Sequence, residues 1–298
     1  MLIRLFMLLW LVAANNAQAA LNVLACEPEW AALVQELAGD RARVASATTA
    51  RQNPHHIEAR PSLIARARNA DLLVCTGADL EIGWLPLLQR ESGNPRIQAG
   101  QPGHFEASAF VRMLEKPARL DRAEGDLHAA GNPHIHTDPR NLLKVAAALS
   151  RRLAELEPEQ AAFYTARGAD FQGRMGAAIA RWEKEAADLR GLPVVVQHKS
   201  WSYLADWLGL KVVADLEPKP GLDPSAAHLA QVLERLKTQP ARLVLRTGYQ
   251  SDRPGEWLAQ RAGIPALELP YSVGGSPEAK DLFGLYDATL ALLRRGLK

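Results

Sequence analysis

Short apolar runs alternate along the chain with stretches whose apolar residues recur every three or four positions. Leu21 to Ala25 has the pattern of a strand, and Pro28 opens a helix with Trp30, Leu33, Val34 and Leu37 on one face. Arg43–Ala47 forms a second, weak strand, Ser62–Asn69 a helix, Asp71–Cys75 a strand and Leu80–Gln89 a further helix. This β-α-β-α order predicts a parallel sheet covered by helices. From Pro139 to Arg190 the pattern changes to Ala, Leu, Glu and Arg, with Pro158 the only proline between the ends. That stretch predicts two consecutive helices. The second is long, about Pro158 to Leu189, with Phe163, Phe171, Met175, Ile179 and Trp182 along one side.

After Gly191-Leu192-Pro193 the alternation resumes. Strands are expected at Val194–Gln197, Leu210–Ala214, Leu243–Arg246 and Ala266–Leu269, with helices at Trp201–Leu208, Pro224–Lys237 and Asp281–Arg295. The predicted fold is therefore α/β. Two similar lobes, 20–138 and 191–298, have parallel sheets flanked by helices and are joined by long, rigid linking helices over 139–190. Ligands of such folds settle beyond the carboxyl ends of strands or between lobes.

The first segment carries an export signal. Arg4 precedes the apolar run Leu5 to Ala14, Asn15 and Asn16 end it, and Ala17-Gln18-Ala19 offers the small-x-small cleavage pattern. Residues 1–19 are read as a signal peptide, the run being too short to span a bilayer. The mature chain would be soluble in the periplasm, since Cys26 lies too far from the apolar run for lipid attachment. Export also changes the reading of the two cysteines. Cys26 and Cys75 each end a strand-like run, so parallel neighbours in an oxidising compartment could bridge them; two buried free thiols are the alternative.

Composition excludes more than it identifies. Lys plus Arg number 35 and Asp plus Glu 33, for a formal charge of +2, and no sizeable basic run appears, which argues against a nucleic-acid partner. The eight histidines are more informative. Asn53-Pro54-His55-His56 follows the second strand, Asn132-Pro133-His134-Ile135-His136-Thr137-Asp138-Pro139 feeds the first linking helix, and His198 ends a strand. Neutral imidazoles from three separate segments suit a tetrahedral Zn²⁺ site in the cleft, and the prolines restrict the backbone beside two of them.

These segments resemble a known family. Pro54-His55-His56-Ile57-Glu58-Ala59-Arg60-Pro61-Ser62 is similar to the Asp-Pro-His-x-Tyr-Glu-x-x-Pro-Ser motif of zinc- and manganese-type periplasmic solute-binding proteins of ABC importers (the ZnuA/AztC-like family). Asn132 to Pro139 resembles their Asp-Pro-His-x-Trp-x-Asp-Pro motif, and Gln197-His198-Lys199-Ser200-Trp201-Ser202-Tyr203-Leu204 matches the segment of their third ligand. The resemblance covers nearly the whole mature chain. It implies His55, His134 and His198 as ligands of one Zn²⁺ per chain, with His56 and His136 on the rim and available for transient capture.

The family commonly adds a carboxylate from the second lobe. No Asp stands at the strand end here; Val273 occupies that neighbourhood, and Asp281 is the expected fourth ligand, swung inward by Gly274-Gly275. Capping of the last helix is the competing role for Asp281, with Glu278 or water as other ligands. A long His- and acid-rich loop before the second ligand is missing, leaving only Gly125 to Gly131, in which His128 is an accessory capture residue or simply exposed to solvent.

His198 favours zinc over manganese, which prefers more oxygen ligands. The implied function is a non-enzymatic, monomeric zinc carrier that delivers its ion to an ABC permease in the inner membrane, with a periplasmic metal chaperone as a further possible partner. The alternatives are a free-standing zinc chaperone, a manganese-binding relative, an adhesin and a zinc hydrolase. For the last, the sequence holds no His-Glu-x-x-His helix and no Gly-x-Ser-x-Gly elbow.

Overall fold

The computed structural model describes residues 20–117, 125 and 128–298. The expected signal peptide, 1–19, lies outside the described residues. Among these residues no helix is long and apolar enough to cross a membrane.

Two four-stranded parallel sheets form the two lobes. The first contains β1 (Leu21–Ala25), β2 (Ala42–Ser46), β3 (Leu72–Cys75) and β4 (His104–Glu106) in the order β2-β1-β3-β4. Helices α1 (Pro28–Ala38), α2 (Pro61–Arg68) and α3 (Leu85–Ser92) flank it. Helices α4 (Pro139–Leu156) and α5 (Ala161–Glu185) then cross to the second sheet. That sheet comprises β5 (Pro193–Val196), β6 (Lys211–Asp215), β7 (Leu243–Thr247) and β8 (Ala266–Leu269), ordered β6-β5-β7-β8. Helices α6 (Ser202–Leu208), α7 (Ala226–Thr238), α8 (Arg253–Ala262) and α9 (Leu282–Arg295) complete the fold. In both sheets the strand order reverses beside the first strand, which opens a crevice beyond the carboxyl ends of β1 and β5.

Local sequence explains most boundaries. Pro28, Pro61 and Pro139 start α1, α2 and α4, where a missing N–H costs nothing. The Asp138 carboxylate accepts from Arg140 N at 2.8 Å and caps α4. The expected helix from Leu80 begins instead at Leu85. Residues 77–79 all have positive φ (75°, 52° and 64°), which breaks a right-handed helix, and Pro86 belongs in a first turn. Strand β4 escaped the sequence reading because one apolar residue, Phe105, between two polar ones has no detectable period.

One apolar core runs through both lobes. Trp30, Val74, Leu149, Phe171, Trp182, Val196 and Leu245 all belong to it. Trp182 on α5 meets the rings of Trp207 and Tyr286 at centroid separations of 6.2 and 5.1 Å, so the linking helix is packed into the second lobe. Gly168 lets α5 approach α4 closely, since a Cβ there would sit 2.7 Å from Ser150 Oγ. A shared core of this kind resists bending between the lobes. Cys26 and Cys75 form a disulfide with Cα atoms 4.8 Å apart, at the ends of neighbouring strands β1 and β3.

Candidate metal centre

Two of the three histidine loops use the same local device. The Asn53 side chain accepts the His55 N–H at 3.1 Å, and the Asn132 side chain accepts the His134 N–H at 3.0 Å. Each Asn-Pro-His segment is thus an Asx turn in which proline stiffens the backbone immediately before the imidazole. The His55 loop is further fixed by Trp84 Nε1, which donates to Pro54 O at 2.8 Å. Asn132 Nδ2 donates to Lys199 O at 2.8 Å and so binds the His134 loop to the segment that carries His198. His198 itself follows β5 at the switch point of the second sheet.

These loops bring His55, His134 and His198 together, with one ring nitrogen of each lying within 4.8 Å of the others. His134 is 1% exposed and the other two are 8% exposed. His134 Nε2 and His198 Nε2 face one another at 3.1 Å, and His55 Nε2 is buried without a hydrogen-bond partner among the described residues. The opposite nitrogens are occupied. His198 Nδ1 lies 2.7 Å from Glu217 Oε2, and His134 Nδ1 lies 2.7 Å from the Tyr271 hydroxyl. A proton held on Nδ1 toward these oxygens leaves the Nε2 lone pair free for a cation, the arrangement typical of metal-binding imidazoles.

Electrostatics point the same way. Burial, then the neighbouring His128 and His198 rings, holds His55 well below its ordinary 6.5. Burial and the His198 and His55 rings do the same to His134. Both are therefore neutral, and able to donate a lone pair, across the physiological range.

The remaining candidates fall in different places. His128 stands beside the site and is half-buried, its ring centroid 5.1 Å from that of His55. His56 lines a polar cleft of about 290 Å³ together with Glu217 and Asp223, and the edges of His55 and His198 border the same cleft. His136 is not on the rim. It is 0% exposed, with Nδ1 3.0 Å from Glu29 Oε1 and Nε2 2.9 Å from Tyr271 O. The 3₁₀ turn at Ile135–Thr137 directs it toward α1, away from the three imidazoles. Asp281 is placed as the N-cap of α9, where Oδ1 accepts from Gly284 N at 2.7 Å. It does not join the three-histidine group, and Glu278 is exposed.

The sequence reading missed Glu217 and Tyr271. Glu217 lies just beyond β6, the strand beside β5, and Tyr271 lies just beyond β8. A polar side chain at a strand's carboxyl end was the available signal for both. Tyr271 stands two residues from Val273, in the stretch where the family motif carries its acid.

Comparison with known proteins bears on the family and the fold. The family model described as "Zinc-uptake complex component A periplasmic" matches residues 23–296. The zinc-binding lipoprotein AdcA of Streptococcus pneumoniae is 24% identical over 263 residues, 86% of this chain and 51% of the relative. The high-affinity zinc uptake system protein ZnuA of Bacillus subtilis is 22% identical over 232 residues, 76% of this chain and 71% of the relative. The chain thus spans about half the length of the AdcA proteins it matches. Among solved structures, a crystal structure of ZnuA superposes with a TM-score of 0.76 at 21% identity, covering 94% of this chain and 100% of that one. A cadmium-bound periplasmic metal-binding protein from Candidatus Liberibacter asiaticus gives 0.75 at 17% identity, covering 93% and 99%. These likenesses establish the two-lobed fold.

Proposed function

The chain belongs to the family of periplasmic zinc-uptake component A, and from that premise we propose that it captures one Zn²⁺ between its lobes and delivers it to an ABC permease. The observation that carries this reading is the convergence of three buried imidazoles on one point, two of them, His55 and His134, held neutral by burial. Three nitrogen ligands suit the tetrahedral, borderline-soft Zn²⁺, whereas Mn²⁺ favours oxygen and higher coordination. The ligands of the proposed site are His55, His134 and His198, with Glu217 and Tyr271 orienting two of the rings. Asp281 is assigned to capping α9.

The protein acts as a carrier: it exchanges bound water for an ion, and no substrate bond is made or broken. Exported behind its signal peptide, it works in the periplasm, and a metal chaperone that loads it remains compatible with the same site. The ion reaches the site through the polar cleft bordered by His56 and Asp223. The lobes share one core, so release is expected through shifts of the loops rather than a wide hinge opening.

Uptake of radioactive zinc tests the reading in cells whose own copy is deleted. Under zinc limitation the wild-type chain should restore uptake and His198→Ala should not. Equal restoration by both would overturn the assignment.

A further inference from the structure

We infer that Cys26, Cys75 and Glu81, with Glu27 completing the set, form a second zinc centre that becomes available when the disulfide is reduced. It shares no ligand with the three imidazoles. One donor atom from each of Cys26, Cys75 and Glu81 lies within 4.8 Å of the others, and all three residues are buried. Tetrahedral zinc, with sulfur at about 2.3 Å and oxygen at about 2.0 Å, spaces its donors by about 3.3–3.8 Å, a span this group already approaches.

The sequence places two donors beyond each of two neighbouring strands. Cys26 and Glu27 follow β1, Cys75 ends β3, and Glu81 returns to that end through a turn in which Gly77, Ala78 and Asp79 all have positive φ. Only glycine adopts that backbone freely, so Ala78 and Asp79 are held in it by their surroundings. The turn brings the carboxylate back to the strand. Glu81 Oε1 accepts from Thr76 N at 2.7 Å and Oε2 from Gly77 N at 3.1 Å.

Glu27 supplies the independent observation. It stands at the N-cap position of α1, yet its side chain caps nothing. Oε2 accepts from Thr76 Oγ1 at 3.1 Å, while Oε1 is buried without a hydrogen-bond partner in a residue only 1% exposed. Burial, then the charge of Glu81, raises the Glu27 carboxyl well above its ordinary 4.5, so the two acids stand close together. Buried carboxyls with an unpartnered oxygen are costly unless a cation compensates them.

The intact disulfide withholds both sulfurs from metal. A dithiol reductant supplies two electrons and two protons: its own sulfurs join in a disulfide, the Cys26–Cys75 bond breaks and two thiols remain. Zn²⁺ then displaces both thiol protons to solvent and forms two Zn–S bonds and one Zn–O bond to Glu81, with Glu27 Oε1 in the fourth position. Thiolate donors favour Zn²⁺ over Mn²⁺.

Cobalt(II) and zinc binding by the full chain test the inference, with the disulfide intact and after reduction by a dithiol and anaerobic desalting. The double variant His55→Ala with His198→Ala is measured beside the wild type, so that the new centre is read apart from the imidazole site. When reduced, the double variant should take up about one cobalt per chain and show a thiolate-to-cobalt charge-transfer band in the near ultraviolet; when oxidised it should show neither. Adding Glu81→Ala should keep both thiols titratable, change the visible cobalt spectrum and weaken binding at least about tenfold. A reduced double variant with native circular dichroism, both thiols titratable and no such band would overturn the inference. So would a spectrum and an affinity indifferent to Glu81→Ala, which mark two free thiols alone. If reduction unfolds the chain, zinc should restore the native circular dichroism, because binding to the folded state stabilises it; a chain that stays unfolded overturns the inference as well. Failure of the oxidised wild type to bind zinc would instead strike the carrier reading and leave this centre standing.

Discussion

His134 and His198 point their Nε2 atoms at one another across 3.1 Å, although 64 residues separate them in the chain. One is delivered by an Asx turn ahead of α4 and the other by the carboxyl end of β5. Two lone pairs at that distance repel unless a proton or a cation lies between them. In the metal-free chain one neutral imidazole can place its own N–H proton between the two nitrogens, and a bound metal ion takes the place of that proton.

The partners behind the ligands make the first prediction. Tyr271→Phe removes the hydroxyl 2.7 Å from His134 Nδ1, and Glu217→Gln removes the charge 2.7 Å from His198 Nδ1. Each should weaken zinc binding by about 10–100-fold while one ion is still bound at saturation. Competition titration against a chromogenic chelator measures this, and unchanged affinity in both would show that ring orientation does not depend on them.

Asp281→Ala separates capping from ligation. Loss of the bond to Gly284 N should cost about 1 kcal/mol of stability, seen as a lower Tm of the metal-free protein. Zinc affinity should stay at the wild-type level. A fall in affinity with no change in Tm would restore Asp281 as a ligand.

These assignments show what was legible in the sequence. Asn-Pro-His could be read as a stiff turn presenting an imidazole because every participant lies within three residues. The alternation of strands and helices was legible for the same reason. The orienting partners were not, because Glu217 and Tyr271 lie 19 and 137 residues from the rings they hold. His136 was misread for a subtler reason. Two residues from a ligand, it has the same local chemistry, and only the 3₁₀ turn decides that it faces Glu29. Asp281 was drawn inward by analogy, whereas the start of α9 supplied a nearer use for it.

The His136–Glu29 pair predicts a structural phenotype. Both side chains are about 1% exposed, and His136 Nε2 also reaches Tyr271 O in the second lobe. Glu29→Ala removes the polar group facing a buried imidazole and should destabilise the protein by about 1–3 kcal/mol. The number of zinc ions bound per folded chain should not change. Thermal melts paired with metal analysis of the folded fraction check both parts; wild-type stability would contradict the assignment.

Buried carboxyls give the metal-free protein a distinct pH response. Burial, then the charges of Glu81 and Glu29, pushes Glu27 well above its ordinary 4.5, and burial pushes Glu81 up to about 7. Between 4.5 and about 7 the folded chain therefore binds more protons at these groups than the unfolded chain. Their contribution to stability is greatest below 4.5 and is lost as pH rises through that window. The depressed His55 and His134 act in the opposite sense, losing stability as pH falls below 6.5. Glu27→Gln isolates the first effect. It should raise stability over wild type by about 1–3 kcal/mol at pH 8 and change little at pH 5. Equal destabilisation at both pH values would contradict a raised Glu27 carboxyl as the source of the pH dependence.

A zinc site built on His55, His134 and His198 is tested by the metal content of the protein and its variants. The purified protein and its His55→Ala, His134→Ala and His198→Ala variants are each equilibrated with zinc, desalted and analysed for metal. About one zinc per wild-type chain is expected, with loss or severe weakening in every variant. A wild-type chain that holds no zinc, or three variants that each retain a full equivalent, would contradict it.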